Sequence, residues 1–165
     1  MAQEEIWRNY FEVAYFALQG GDQQLAESMF GEAIQVAAGL PAGSTAVTAC
    51  LAKSLHGLAA ALHARGQFAE AMKLLRRAIR LYSIESPLDC NGLACAASLL
   101  ADLYVREGYD KKALPLLKAT GRSIKKVAGS ESADLREILR RMAIIYDRHH
   151  RFDRAHDHFV RALNC

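Results

Sequence analysis

Small and large apolar residues recur along this 165-residue chain in a pattern that repeats four times. Each copy is anchored by an alanine, and the four anchors are Ala26, Ala71, Ala113 and Ala155. A phenylalanine or leucine follows every anchor after four residues, and three of the copies place another alanine after seven. Residues three or four positions apart share one face of an α-helix. Each copy therefore predicts an amphipathic helix, in a repeat of about 42 residues.

The same order extends upstream of every anchor. Another alanine lies twelve residues earlier, and these alanines are Ala14, Ala59, Ala101 and Ala143. Between the two alanines of each copy stands the residue expected to end the first helix: Gly21, Gly66, Gly108 and, in the fourth copy, His150. A residue at this place often has left-handed backbone geometry, which glycine adopts freely and histidine adopts with strain. Each copy thus predicts two helices joined by a tight turn.

The complete pattern predicts eight helices, at roughly 3–20, 22–38, 44–65, 67–84, 87–107, 110–127, 131–148 and 151–164. They form four helix–turn–helix units within a single domain, at roughly 3–40, 44–85, 87–128 and 131–165. One helix pair cannot bury its own apolar stripe, so neighbouring pairs are expected to stack on one another. The expected fold class is all-α.

This pattern resembles the tetratricopeptide repeat over essentially the whole chain. The features in common are the small residue of the first helix, the turn glycine, an aromatic residue after it (Phe68, Phe152) and the paired alanines of the second helix. The period of about 42 residues, with Pro115 in a second helix, resembles the kinesin-light-chain type of this repeat. The resemblance implies a right-handed superhelical solenoid that serves as a non-catalytic scaffold for protein–protein interaction and needs no cofactor.

The resemblance also implies that the first helices of the units line a concave groove, which binds an extended peptide or a partner helix. Its groove positions, transferred one residue at a time, select Phe11, Tyr15, His56, His63, Asp102, Arg106, Arg140 and Arg148 as candidates. Further residues on the same faces are Arg8, Glu12, Lys53, Ala60, Cys95, Ser98, Arg141, Ile144 and Asp147. Aromatic residues at one end and arginines at the other would suit a partner with apolar anchors followed by acidic residues.

Composition agrees with a globular protein, since 52% of residues are hydrophobic and 24% are charged. Charge is spread unevenly: residues 1–103 contain 7 basic and 10 acidic side chains, and residues 104–165 contain 14 basic and 8 acidic ones. The basic half is consistent with an acidic partner. Nucleic acid is not expected, because acidic residues interrupt the basic ones and no aromatic series accompanies them. No apolar run approaches the ~20 residues of a membrane span, and no secretory signal is evident, so we expect a cytoplasmic protein.

Candidate chemistry is sparse. Residues 147–158 hold four of the six histidines, but His149 and His150 are adjacent and His156 and His158 are two apart. Metal ligands on a helix are typically four residues apart, so we predict no metal site, and a histidine-rich metal protein is the weakest alternative. The four cysteines form no CxxC pair, and no nucleophile elbow or phosphate-binding loop occurs, so no enzyme is predicted.

The last predicted helix raises an alternative function. Its residues Phe159, Val160, Ala162 and Leu163 would leave apolar surface uncovered. A second copy of the chain could cover that surface, which would make the protein a self-assembling structural module. The other explanation is that the chain is part of a longer protein.

Overall fold

The computed structural model describes residues 2–41, 45–84 and 89–164. These residues form eight helices and no strand: α1 (Ala2–Gln19), α2 (Gln23–Ala38), α3 (Thr45–Ala64), α4 (Phe68–Ile84), α5 (Cys90–Arg106), α6 (Asp110–Ala128), α7 (Ala133–Arg148) and α8 (Phe152–Leu163). The predicted all-α fold is confirmed, and the described helix ends fall within three residues of their predicted positions. The predicted unit boundaries at 42–44 and 85–88 lie outside the described residues.

The helices group into two compact units, Met1–Pro87 and Leu88–Cys165. The first unit contains α1 to α4 and the second contains α5 to α8. Consecutive helices within each unit pack side by side, and the first helices of each unit, α1 with α3 and α5 with α7, also touch. Each unit therefore consists of two stacked helix pairs that share one apolar core.

The four turns inside the helix pairs share one geometry. Their central residues have positive φ angles: 83° at Gly21, 80° at Gly66, 76° at Gly108 and 54° at His150. The next residue of each turn donates its backbone N–H to a carbonyl five positions earlier, as Gln67 does to Leu62 at 2.8 Å. This pairing satisfies a carbonyl that the end of the helix leaves without a partner. The prediction that these residues end the first helices is confirmed, including the left-handed histidine.

The repeated alanines lie where the helices approach most closely. All eight anchoring alanines are at most 3% exposed. In the first unit the fully buried Phe30 fills the space beside them, and Gly57 of α3 passes so close that a Cβ there would lie 2.3 Å from the Phe30 ring. Trp7 of α1 closes the same core by donating its indole N–H to Ser54 Oγ of α3 at 2.8 Å.

The second unit has a core of aliphatic side chains, among them the fully buried Leu117, Ile124 and Ile138. Pro115 is the sixth residue of α6 and is exposed, so water can reach the carbonyl that its missing N–H leaves unpaired. In α8, Phe159, Val160 and Leu163 are exposed, as predicted. The expectation for Ala162 was wrong: it is 5% exposed, because it lies seven residues after the anchor and faces the core.

Candidate functional site

The surface formed by the first helices of the first unit, α1 and α3, carries four of the candidate residues. Tyr15 is 47% exposed. Phe11 is half-buried, and its ring centroid lies 5.2 Å from that of Trp7 and 5.6 Å from that of Phe30. Phe11 therefore supports the core and presents only part of its ring, while Tyr15 extends from the surface. We call this surface the α1–α3 face.

The two histidine candidates lie on α3 and are also half-buried. The His56 ring meets the buried Tyr82 ring of α4 edge-on, with centroids 6.4 Å apart. The His63 ring lies 5.8 Å from the Phe68 ring at the start of α4. Both imidazoles thus pack partly against the second helix of their own pair, and each keeps part of its surface on the α1–α3 face.

The corresponding surface of the second unit, the α5–α7 face, contains an ion-pair network. Arg141 of α7 donates from Nη1 to Asp102 Oδ2 of α5 at 2.6 Å and from Nε to Glu137 Oε1 at 2.7 Å. Partial burial lowers the pKa of Arg141, but the hydrogen bond to Glu137 and the charges of Asp102 and Glu137 raise it by more, so its pKa is raised overall. Arg140 lies 3.7 Å from the same Glu137 carboxylate. Two arginines of the predicted cluster are therefore engaged with carboxylates of their own unit.

The N-terminal part of the α5–α7 face is acidic. Asn91 of α5 donates to Asp134 Oδ1 of α7 at 3.3 Å. Burial raises the pKa of the Cys95 thiol, and the negative charges of Asp134, Glu137 and Asp89 raise it further. Carboxylates from α7 and from the start of α5 thus converge near this thiol.

The remaining two candidates lie at the C-terminal ends of their helices. Arg106 is the last residue of α5 and Arg148 the last residue of α7, and both are exposed. Positive side chains at these places are favourably oriented toward the negative end of the helix dipole. The predicted arginine cluster is thus divided between an ion-paired part and an exposed part.

Sequence reasoning did not select a second surface of the same unit, a groove between α6 and α8 with α7 as its floor. This α6–α8 groove encloses about 460 Å³. Its floor residues include Leu117, Ile138, Met142 and Tyr146, and its basic residues are Lys118, Arg122, Lys125, Arg154 and Arg161. One signal in the sequence could have indicated it: Gly121 stands eight residues after its anchor, where the other copies have Ile34, Ile79 and Leu163.

The histidine-rich turn makes separate contacts instead of one site. His149 Nε2 lies 3.1 Å from Asp110 Oδ2, and His158 Nδ1 lies 2.8 Å from the carbonyl oxygen of Arg154. Among the described residues, no three His, Cys, Asp or Glu side chains are grouped closely enough to hold a metal ion. Within the described part of the chain, no helix has the length and apolar character needed to cross a membrane.

Comparison with known proteins places this geometry. The chain is similar to the crystal structure of BtubC (BKLC) from P. vanneervenii, with a TM-score of 0.82 and 21% identity over 98% of its residues. Residues 51–84, which span most of α3 and all of α4, match the tetratricopeptide repeat family. The fold is that of a tetratricopeptide repeat protein. The chain spans 63% of the length of BtubC.

Other tetratricopeptide structures match with lower scores. Nearly identical TPR-like repeats of a kinesin light chain candidate from Podosopora anserina give a TM-score of 0.59 at 18% identity, covering 99% of this chain and 96% of that one. MamA gives 0.54 at 17% identity, covering 92% and 93%. The predicted similarity to kinesin-light-chain-type repeats is confirmed for the fold. No curated protein matches the sequence significantly.

Tetratricopeptide repeat proteins are in general scaffolds for protein–protein interaction, since their stacked helices present extended binding surfaces. The described residues supply such surfaces in both units. Their fold says where a partner can be bound, and the chemistry of each surface says what kind of partner fits it.

Proposed function

We propose that this tetratricopeptide repeat protein is a non-catalytic binding module that takes up a peptide or a partner helix on its first helices. The observation that carries the proposal is the exposure of Tyr15. This tyrosine directly follows Ala14, which is completely buried, yet it is itself 47% exposed. Its ring contacts Phe16, which is 70% exposed, with centroids 6.5 Å apart. Aromatic side chains at a surface are typical anchors of protein interfaces.

The α5–α7 face supports the same proposal with different chemistry. The Arg140 side chain is 57% exposed, and Ile144, one turn further along α7, is 44% exposed. The carboxylates of Asp102 and Glu137 are also partly open to solvent. Ion pairs exposed to this degree contribute little to stability, so a partner can exchange with them at small cost.

The test is selection of peptides that bind the full chain from a random phage-displayed library, followed by affinity measurement on purified variants. Tyr15→Ala or Arg140→Ala is expected to weaken binding of the selected peptides by about tenfold, which is the effect of losing one interface anchor. Arg76→Ala is the matched control, because Arg76 is exposed on the second helix α4. Peptides whose affinity is unchanged by both Tyr15→Ala and Arg140→Ala would refute the assignment to the first helices.

A second candidate function is self-assembly, favoured by the apolar side chains of α8. Phe152 is 60% exposed, Phe159 40% and Leu163 83%, and their spacing puts them on one side of the helix. Association of two copies through this stripe would remove it from water. Sedimentation velocity over a wide concentration range decides the matter: a chain that stays monomeric at the highest concentration excludes assembly, and a dimer that Leu163→Glu dissociates supports it.

A further inference from the structure

We propose that the α6–α8 groove is a separate binding site for an acidic peptide segment that carries one large apolar side chain. The site lies wholly within the second unit and uses the second helices of its two pairs. It is therefore independent of the binding proposed for the first helices.

The groove exists because α6 has a glycine where the other second helices carry a large aliphatic side chain. Gly121 occupies the place of Ile34 in α2 and Ile79 in α4, both of which are half-buried. A Cβ at Gly121 would lie 3.3 Å from Cγ2 of Ile138 and 3.5 Å from Cδ1 of Leu135. The missing side chain thus leaves the aliphatic side chains of α7 uncovered from this direction.

The floor that is opened in this way is apolar. Leu117 and Ile138 are completely buried, and Met142 is 5% exposed. The enclosed space of about 460 Å³ lies within the ~300–1,000 Å³ that is usual for ligand pockets. An apolar side chain that enters the groove would replace water over this floor, which is favourable in proportion to the apolar area covered.

The edges of the groove are basic. Five cations line it, Lys118, Arg122, Lys125, Arg154 and Arg161, against the single carboxylate of Asp157. Two of the cations lie over the ring of Tyr146, since Lys118 Nζ is 6.0 Å and Arg154 Cζ 5.8 Å from its centroid. Such contacts hold the charges above the apolar floor. A ligand that fills the groove must therefore bring negative charge as well as an apolar group.

The basic edge is a property of this unit and not of the repeat. In α2 of the first unit, the places of the three α6 cations are taken by Gly31, Gln35 and Ala38. The combination of an opened floor and a positive edge therefore occurs where both changes coincide, at α6. Two coincident departures from the repeat pattern are what a binding site requires and helix packing does not.

An acidic peptide fits this chemistry better than a nucleic acid does. Carboxylates of the peptide would pair with the lysines and arginines, and an adjacent apolar side chain would enter the groove. A nucleic acid would offer phosphates to the edge but would meet the carboxylate of Asp157, and Tyr146 is too deeply buried (2% exposed) to stack on a base.

The test measures binding of a fluorescein-labelled peptide, one phenylalanine flanked on both sides by glutamates, to the full chain by fluorescence anisotropy. The double variant Lys118→Glu, Arg122→Glu is expected to weaken binding by about tenfold or more, because two attractions become repulsions. The matched control is Arg76→Glu, Arg80→Glu, which changes the charge equally at the corresponding, exposed positions of α4. The control is expected to stay within about twofold of the wild type.

Further arms separate the groove from its alternatives. Gly121→Ile, which restores the side chain of the other repeats, is expected to abolish peptide binding, and circular dichroism checks that this variant folds. A peptide with glutamine for glutamate, or with alanine for phenylalanine, is expected to lose binding. Arg140→Ala, on the α5–α7 face, is expected to leave peptide binding unchanged.

Several results would overturn the proposal. Equal weakening by the α6 and α4 double variants would mean a bulk charge effect, and loss of binding in Arg140→Ala would place the peptide on the first helices. Undiminished binding of the glutamine peptide would exclude recognition by charge. An oligothymidylate that binds more tightly than the peptide and depends equally on Lys118 and Arg122 would assign the groove to nucleic acid. A dimer that the same double variant dissociates would assign it to a second copy.

Discussion

Gly57→Ala is expected to destabilise the first unit, because α3 passes the Phe30 ring without room for a side chain. A Cβ at residue 57 would stand 2.3 Å from Cε1 and 2.4 Å from Cζ of Phe30. Phe30 is completely buried, and its ring also meets Phe11 edge-on at a centroid distance of 5.6 Å. The ring therefore has no solvent to move into, and either it or α3 must shift.

Two opposing contributions set the magnitude. Alanine is a better helix former than glycine by about 1 kcal/mol, which favours the variant. Overpacking a core costs about 1–3 kcal/mol, and sometimes more. Ordinary carbon–carbon contacts are ~3.5–4.0 Å, so an overlap of more than 1 Å with a buried ring calls for the upper end of that range. The expected net loss in the free energy of unfolding is about 2 kcal/mol.

Urea unfolding followed by circular dichroism measures this loss, and the fluorescence of Trp7 reports on the same core, since it is the only tryptophan and its ring lies 5.2 Å from Phe11. Gly31→Ala in α2 is the control, because a Cβ there would meet nothing within 4 Å, and it should gain up to about 1 kcal/mol. In a Phe30→Leu background the Gly57→Ala penalty should shrink. A Gly57→Ala variant as stable as the wild type, or a penalty unchanged by Phe30→Leu, would refute the reasoning.

Three further predictions concern the turn, the thiol and the ion pairs. His150→Gly should stabilise the protein by about 1 kcal/mol in thermal unfolding, because a φ of 54° strains an L-residue, and an unchanged Tm would contradict this. The raised pKa of Cys95 reduces its thiolate fraction at any pH below that pKa, so iodoacetamide should alkylate it more slowly than free cysteine at pH 8, and Asp134→Asn should speed the reaction, as peptide mass mapping can show. Arg141→Ala should cost about 0.5–1 kcal/mol in urea unfolding, and much less when Asp102→Ala is already present; equal costs in both backgrounds would exclude coupling between the two side chains.

The positions of the helices and turns could be predicted from the sequence because they depend on local spacing. Alanines at Ala71 and Ala78 and a leucine at Leu75 define one side of α4, and all three are completely buried. The turn residue Gly66 ends the helix before them with a φ of 80°. Such patterns need only the helical period and the backbone freedom of glycine, and both are written in consecutive residues.

The candidate site was accessible to the same reasoning only in part. Periodicity correctly placed Tyr15 at the surface, but the half-buried packing of Phe11 depends on Phe30, which comes from another helix. The pairing of Arg141 with Asp102 joins residues 39 positions apart, so no local pattern indicates it. Charge counts located the basic residues in the second half of the chain, yet they could not show which face of the helices carries them.

The repeat pattern alone was enough to establish eight helices, their pairing through tight turns and the alanines at their contacts, since each follows from side chains three to five residues apart. The α6–α8 groove required three helices to be assembled. A glycine at residue 121 becomes an opening only when Leu135 and Ile138 of α7 lie beneath it, and lysines and arginines become an edge only when α6 and α8 stand on either side. The difference is physical: helical periodicity is a property of neighbouring residues, whereas a cavity and its charge are properties of surfaces that meet through packing.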